Sequence, residues 1–237
     1  MNETTETTTF GDITIVMTRP PSKLDALSAK VREILGRDLP DEIAAFYARG
    51  DGMHIRAMRG NQVLPGEASI CGLEEAFDEF RPHVQYRSRK AHEKDIDEGD
   101  IYAQAFCEQI WSDSFEVETK RDLDRLNALK RSKLIVSVPG ESVWLTIDYF
   151  DPEGAPYRIG VAHDGCELYP LDLSFTDFTA HFQRFGAAHW YYAFAGKKAA
   201  KAMNVDLGEN VEQSLAEFAR AMPAEVDALV RRAKGRR

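Results

Sequence analysis

Cysteine is scarce in this chain. Cys71, Cys107 and Cys166 are the only three in 237 residues, and no two form a C-x-x-C pair. Neither a disulfide framework nor a structural zinc site is therefore expected. Long apolar runs are missing too: none approaches the roughly 20 residues that span a bilayer. The opening stretch, Met1–Asp12, is polar and Thr-rich and lacks the basic start and apolar stretch of a secretory signal. Residues 1–21 read as a flexible leader. Reduced thiols and no export signal place the chain, by expectation, in the cytoplasm, with no membrane role of its own.

The familiar catalytic signatures are also absent. There is no serine elbow, no Gly-rich phosphate loop, no H-E-x-x-H and no dinucleotide fingerprint. The six histidines (His54, His83, His92, His163, His181, His189) follow no ligand spacing, and His163, beside a predicted hairpin turn, reads as ordinary surface. "DIDEGD", Asp95–Asp100, superficially suggests a calcium loop. Counted from Asp95, however, the fifth, sixth and twelfth places hold Gly99, Asp100 and Phe106, where that loop needs an oxygen ligand, glycine and a bidentate acid. No catalytic residue, cofactor or metal is expected, and the chain is read as a non-enzyme.

What is present is negative charge, unevenly placed. The net charge is −9. Between Lys90 and Glu118 nine acids (Glu93, Asp95, Asp97, Glu98, Asp100, Glu108, Asp113, Glu116, Glu118) face only Lys90 and Lys94, so this stretch contributes −7. Such a field repels nucleic acid and speeds encounter with a basic protein. Asp95, Asp97, Glu98, Asp100, Trp111 and Asp113 are accordingly candidate partner-binding residues, with the aromatic as a potential anchor.

Regular structure is legible on either side of that stretch. Lys23–Leu35 predicts a helix, with Leu24, Leu27, Val31 and Ile34 on one face, Ser22 and Asp25 as a capping pair, and Gly36 as its end. "LPDEIAAFYARGDGM" predicts a second: Pro40 starts it, Asp41 and Glu42 fill its first turn, and Ile43, Phe46 and Tyr47 form its apolar stripe. Gly50 then suits a left-handed end position, and Asp51-Gly52 a turn into the strand "MHIRAM". The triplet Arg49-Gly50-Asp51 matches integrin ligands, but its position at a helix end argues for a structural role. Gln62–Gly72 reads as irregular strand and turn, and Leu73–Phe80 as a short helix.

Residues 83–131 read as an expanded acidic middle segment, with helical pieces near Tyr102–Gln109 and Arg121–Lys130. A β-rich block follows. "KLIVSVP" is a short apolar run, and Val143, Leu145, Ile147 and Tyr149 alternate along the next strand. Asp151–Gly154 fits a type I turn, Tyr157, Ile159 and Val161 alternate, and Asp164-Gly165 signals a hairpin before "CELYPLD". "SFTDFTAHFQRFG" predicts a helix capped by Ser174 and Asp177, its face formed by Phe175, Phe178, Phe182 and Phe185, and closed by Gly186. An aromatic cluster (Trp190, Tyr191, Tyr192, Phe194) and a final helix around Asn210–Ala221, extended or followed by Glu225–Arg232, complete the chain.

This order of signals resembles the SMI1/KNR4 family of the SUKH superfamily. The resemblance rests on Leu39-Pro40, Asp51-Gly52, the strands from Val143 to Asp172, and Ser174-Phe175 with Phe178, and covers roughly Leu24–Gly186. It implies an α+β fold with a central antiparallel sheet flanked by helices, here with a helical C-terminal extension over residues 187–237 that packs on or follows the 22–186 domain. It also implies a non-catalytic protein binder: an immunity-type protein that neutralises a basic toxin domain such as a nuclease, or else a regulatory or scaffold protein. An enzyme or small-molecule binder of unrecognised type is the remaining alternative.

Overall fold

A computed structural model of the chain describes residues 3–77, 132–137, 143–149, 154–163, 167–203 and 205–235. The fold is α+β. The strands β1 (Thr4–Phe10), β2 (Ile13–Arg19), β3 (Met53–Arg59), β4 (Gln62–Val63), β5 (Ala68–Ile70), β6 (Ser132–Ser137), β7 (Val143–Asp148), β8 (Arg158–His163) and β9 (Glu167–Pro170) form one sheet. Its order is β1-β2-β3-β5-β6-β7-β8-β9, with β4 paired to β3, and each pairing among the described residues is antiparallel. Sequential strands therefore lie side by side, as short connections favour.

The first twenty residues correct the expectation of a flexible leader. Thr4–Phe10 and Ile13–Arg19 form a hairpin whose register is unbroken from Thr4↔Arg19 to Phe10↔Ile13. The physical reason lies in the residues. β-branched threonines favour extended backbone, and Ile13, Ile15 and Met17 alternate so that β2 has one buried face. Met17 pairs with Ile55 and Ile15 with Ala57 on β3, which continues that face into the core.

Helix α1 (Leu24–Leu35) and helix α2 (Asp41–Arg49) fall where their apolar spacing puts them. Gly36 ends α1 in the left-handed conformation, its N–H donating to the Arg32 carbonyl. The start of α1 differs from expectation. Lys23 holds the cap position without a side-chain cap bond, while the Ser22 hydroxyl donates to the Tyr47 carbonyl at 2.7 Å and accepts from the Leu24 N–H at 3.2 Å. Ser22 thus clips the start of α1 to α2 and forms no capping pair with Asp25. Pro40 caps α2, its carbonyl accepting from the amides of Ile43 and Ala44.

Gly50 also departs from its expected role. Its φ of 169° is extended backbone, open to any residue. What requires glycine is space: a Cβ there would lie 2.8 Å from Cβ of Arg19 and 2.9 Å from the Pro20 carbonyl oxygen. At Gly52 both reasons apply, since φ is 88° and a Cβ would meet the Ile70 carbonyl oxygen at 2.5 Å.

Helix α3 (Leu73–Ala76) is described only to Phe77, so the rest of the expected Leu73–Phe80 helix lies outside the described residues. So do the 83–131 segment with its helical pieces, most of the Asp151–Gly154 turn, and the Asp164-Gly165 turn. β7 buries Val143, Leu145 and Ile147, which pair with β8, and Tyr149 just beyond its end is buried too. β8 and β9 complete the expected meander.

Helix α4 (Phe175–Phe185) lies across the sheet. Ser174 caps it by accepting the Asp177 N–H at 3.0 Å, and Phe175, Phe178, Phe182 and Phe185 are all at most 1% exposed. Each such burial stabilises by roughly 1.5–3 kcal/mol. Phe175 meets Phe46 of α2 edge-on at 5.4 Å, and Phe178 lies 5.6 Å from Trp190 in the 3-10 turn Trp190–Phe194. Helices α5 (Lys197–Met203), α6 (Leu207–Ser214), α7 (Ala216–Ala219) and α8 (Pro223–Gly235) follow. They do not stand apart: Val211, Leu215, Phe218, Met222, Val226 and Leu229 belong to the same continuous core as the sheet. Phe218 packs edge-on against Phe185 at 5.4 Å, and Arg59 of β3 bridges to Glu217 at 2.5 Å. Among the described residues no helix is long and apolar enough to cross a membrane.

Candidate partner-binding surface

The residues that carry the family resemblance serve architecture. Asp51 is 8% exposed, and its carboxylate accepts the backbone N–H of Leu73 at 2.7 Å, which holds the start of α3. Lys23 Nζ lies 3.5 Å from the same carboxylate and 3.1 Å from Glu74. A buried aspartate engaged within its own chain is not offered to an integrin. Leu39 packs against the core, Pro40 caps α2, and Ser174, Phe175 and Phe178 start and seat α4.

A second polar knot holds the start of α4. Glu42, in the first turn of α2, accepts hydrogen bonds from the Tyr157 hydroxyl, from the Thr176 amide at 2.8 Å and from the Thr176 hydroxyl at 2.7 Å. Tyr157 in turn accepts the Phe175 N–H at 2.8 Å. Three of the groups at the start of α4 thus bond to α2 and to the strand block. Burial alone would raise the Glu42 pKa. The hydrogen bonds from Tyr157 and Thr176 outweigh it, and the carboxyl is held below its ordinary value. Tyr157 moves up, through burial and then through its bond to Glu42.

Two further perturbed groups have quiet explanations. The Cys71 thiol is pushed up to about 12, chiefly by burial, and so is a poor nucleophile at neutral pH. His181 is lowered by burial and then by Arg184, and its ring lies tilted, 5.1 Å from that of Trp190. It is a partly buried histidine among aromatic rings, where burial disfavours its charged form. Among the described residues no group of three or more His, Cys, Asp or Glu side chains could hold a metal ion.

The six candidate partner-binding residues, Asp95, Asp97, Glu98, Asp100, Trp111 and Asp113, lie outside the described residues. A different surface emerges where the leader was expected. β1 is the outer strand of the sheet, and Thr4–Thr9 are exposed. Beneath it runs a groove of about 190 Å³ between the hairpin and α4, lined by Thr8, Phe10, Met17, Ala180, Gln183 and Arg184. Alternation of Ile13, Ile15 and Met17 beyond a Gly11-Asp12 turn was the signal for this hairpin.

At the inner end of the same hairpin sits Arg19. It is 2% exposed, none of its three guanidinium nitrogens has a hydrogen-bond partner among the described residues, and the group lies 4.9 Å over the Phe46 ring. Burial and then Arg49 lower its pKa, while Glu6 offsets part of the shift. Arg49 and Glu6 lie 3.8 Å apart at the surface above it.

No protein-family model, curated protein or solved structure matches this chain.

Proposed function

We propose that this chain is a non-catalytic protein-binding domain of immunity type, which binds and neutralises a basic toxin domain in the cytoplasm. The observation that carries the reading is the segregation of charge: the stretch from Lys90 to Glu118 holds −7 of the net −9. A field of one sign on one segment attracts a basic protein and repels nucleic acid, which suits a partner that itself binds nucleic acid. The resemblance to the SMI1/KNR4 family supports the class, and the architectural duties of Asp51, Ser174 and Phe178 suit a fold that needs no reactive centre. A regulatory or scaffold protein of the same type is the second reading, favoured by the same acidic segment acting on a cellular partner.

The test is to express the products of the genes neighbouring this chain's own and to measure, by calorimetry at several salt concentrations, whether a basic effector domain among them binds it. Tight, salt-weakened binding is expected. Reversal of Asp95, Asp97, Glu98 and Asp100 to lysine should weaken it by at least about tenfold. Unchanged affinity in that variant rules out the acidic segment as the interface.

A further inference from the structure

We propose that the protein forms a twofold-symmetric dimer in which β1 pairs antiparallel with β1 of a second copy, continuing the sheet from one chain into the other. The proposal does not rest on the toxin-binding reading. β1 pairs with β2 on one side, and among the described residues its other side is the open edge of the sheet. Natural edges of this length are usually blunted by lysine, proline or a bulge. The sequence TTETTTF has neither residue, and its register with β2 is unbroken over seven residues.

The pattern along this edge is self-complementary. The two-residue turn between Phe10 and Ile13 makes them a hydrogen-bonded pair, so Thr4, Glu6, Thr8 and Phe10 bond to β2. Thr5, Thr7 and Thr9 therefore turn their N–H and C=O groups outward. Two such edges, laid antiparallel with Thr7 on the twofold axis, pair Thr7 with Thr7 and Thr5 with Thr9, and satisfy about six backbone hydrogen bonds. Facing threonines are favourable cross-strand neighbours.

Charge fixes the choice of occupant. In this register Glu6 faces Thr8 of the second copy, so the only acid of β1 does not face its own counterpart. Thr8 shares the groove with Arg184, which is half-buried and has no ion pair among the described residues. The second copy's Glu6 thus arrives beside Arg184, and symmetry makes the contact twice. Glu6 is 44% exposed and only loosely bridged to Arg49, so its carboxylate can serve both. An unrelated strand would meet the same edge without this matched acid.

The test is the mass of the full chain by sedimentation and light scattering over a wide concentration range. A species of twice 26.7 kDa is expected. Thr7→Pro removes an N–H that faces the open edge and leaves the bonds to β2 intact, so it should give a monomer with an unchanged circular-dichroism spectrum. Arg184→Glu should raise the dimer dissociation constant at least about tenfold, most strongly at low salt. If Thr7→Pro does not fold, Arg184→Glu decides. A wild-type monomer at every concentration overturns the proposal, whether or not it captures the strand of another protein. A folded Thr7→Pro chain that stays dimeric, or a dimer indifferent to Arg184→Glu, overturns it equally.

Discussion

The carboxylate of Asp51 accepts the amide hydrogen of Leu73 at 2.7 Å, joining the end of α2 to the start of α3 across 22 residues of sequence. The bond is buried, and it fixes where the chain re-enters after β5. Asp51→Ala leaves the Leu73 N–H without a partner, at a cost of about 1–3 kcal/mol. Asp51→Asn keeps an acceptor oxygen and should cost less. Urea unfolding midpoints of the two variants, with an unchanged slope, are the check.

Glu42 and Tyr157 give stability a pH signature. The Glu42 carboxyl titrates below its unfolded value, so its contribution is full above that value and is lost as pH falls through the lower, folded one. Tyr157 is raised, so its contribution is full below its unfolded value and is lost as pH rises into the alkaline range. Glu42→Gln should therefore lower the melting temperature at neutral pH, and the gap to wild type should close as pH falls below about 4. Paired melts at neutral and acid pH test this; a gap that stays constant would remove Glu42 from the account.

The C-terminal helices should unfold with the sheet. Phe218 is fully buried against Phe185, and both belong to one core. Phe218→Ala should cost about 3–5 kcal/mol and shift a single transition. Secondary-structure and tertiary signals that separate into two transitions would show instead that residues after Gly186 form their own unit.

Much of the fold is legible in the sequence because its signals are local. The phenylalanines of α4 repeat at helical spacing, Ser174 sits where a cap is needed, and Val143, Leu145 and Ile147 alternate as a strand must. The hairpin of β1 and β2 was harder to see. A strand of threonines with six of its seven residues exposed carries no hydrophobic alternation of its own, and it exists because β2 is pinned by β3. Gly50 shows the same limit: its need for glycine comes from Arg19 and Pro20, thirty residues away in sequence, and no local pattern encodes that approach. The partner-binding surface is legible only as charge, because contact geometry is a property of the fold. The edge of β1 became visible once strand order was known.

Arg19 is the remaining oddity, and it makes a prediction of opposite sign to the others. A buried guanidinium without hydrogen-bond partners among the described residues forfeits its hydration, and its attraction to the Phe46 ring returns only part of that loss. The aliphatic part of the side chain packs against Gly50, so a residue of similar length without charge keeps that contact. Arg19→Met should therefore stabilise the protein by about 1 kcal/mol or more, as uncharged replacements of buried ionic groups often do. Arg19→Ala should instead destabilise it, because it leaves a cavity beside Phe46. Thermal melts of the pair separate packing from charge. If methionine proves as costly as alanine, the guanidinium contributes an interaction beyond packing, and the Arg49–Glu6 pair above it is the place to look.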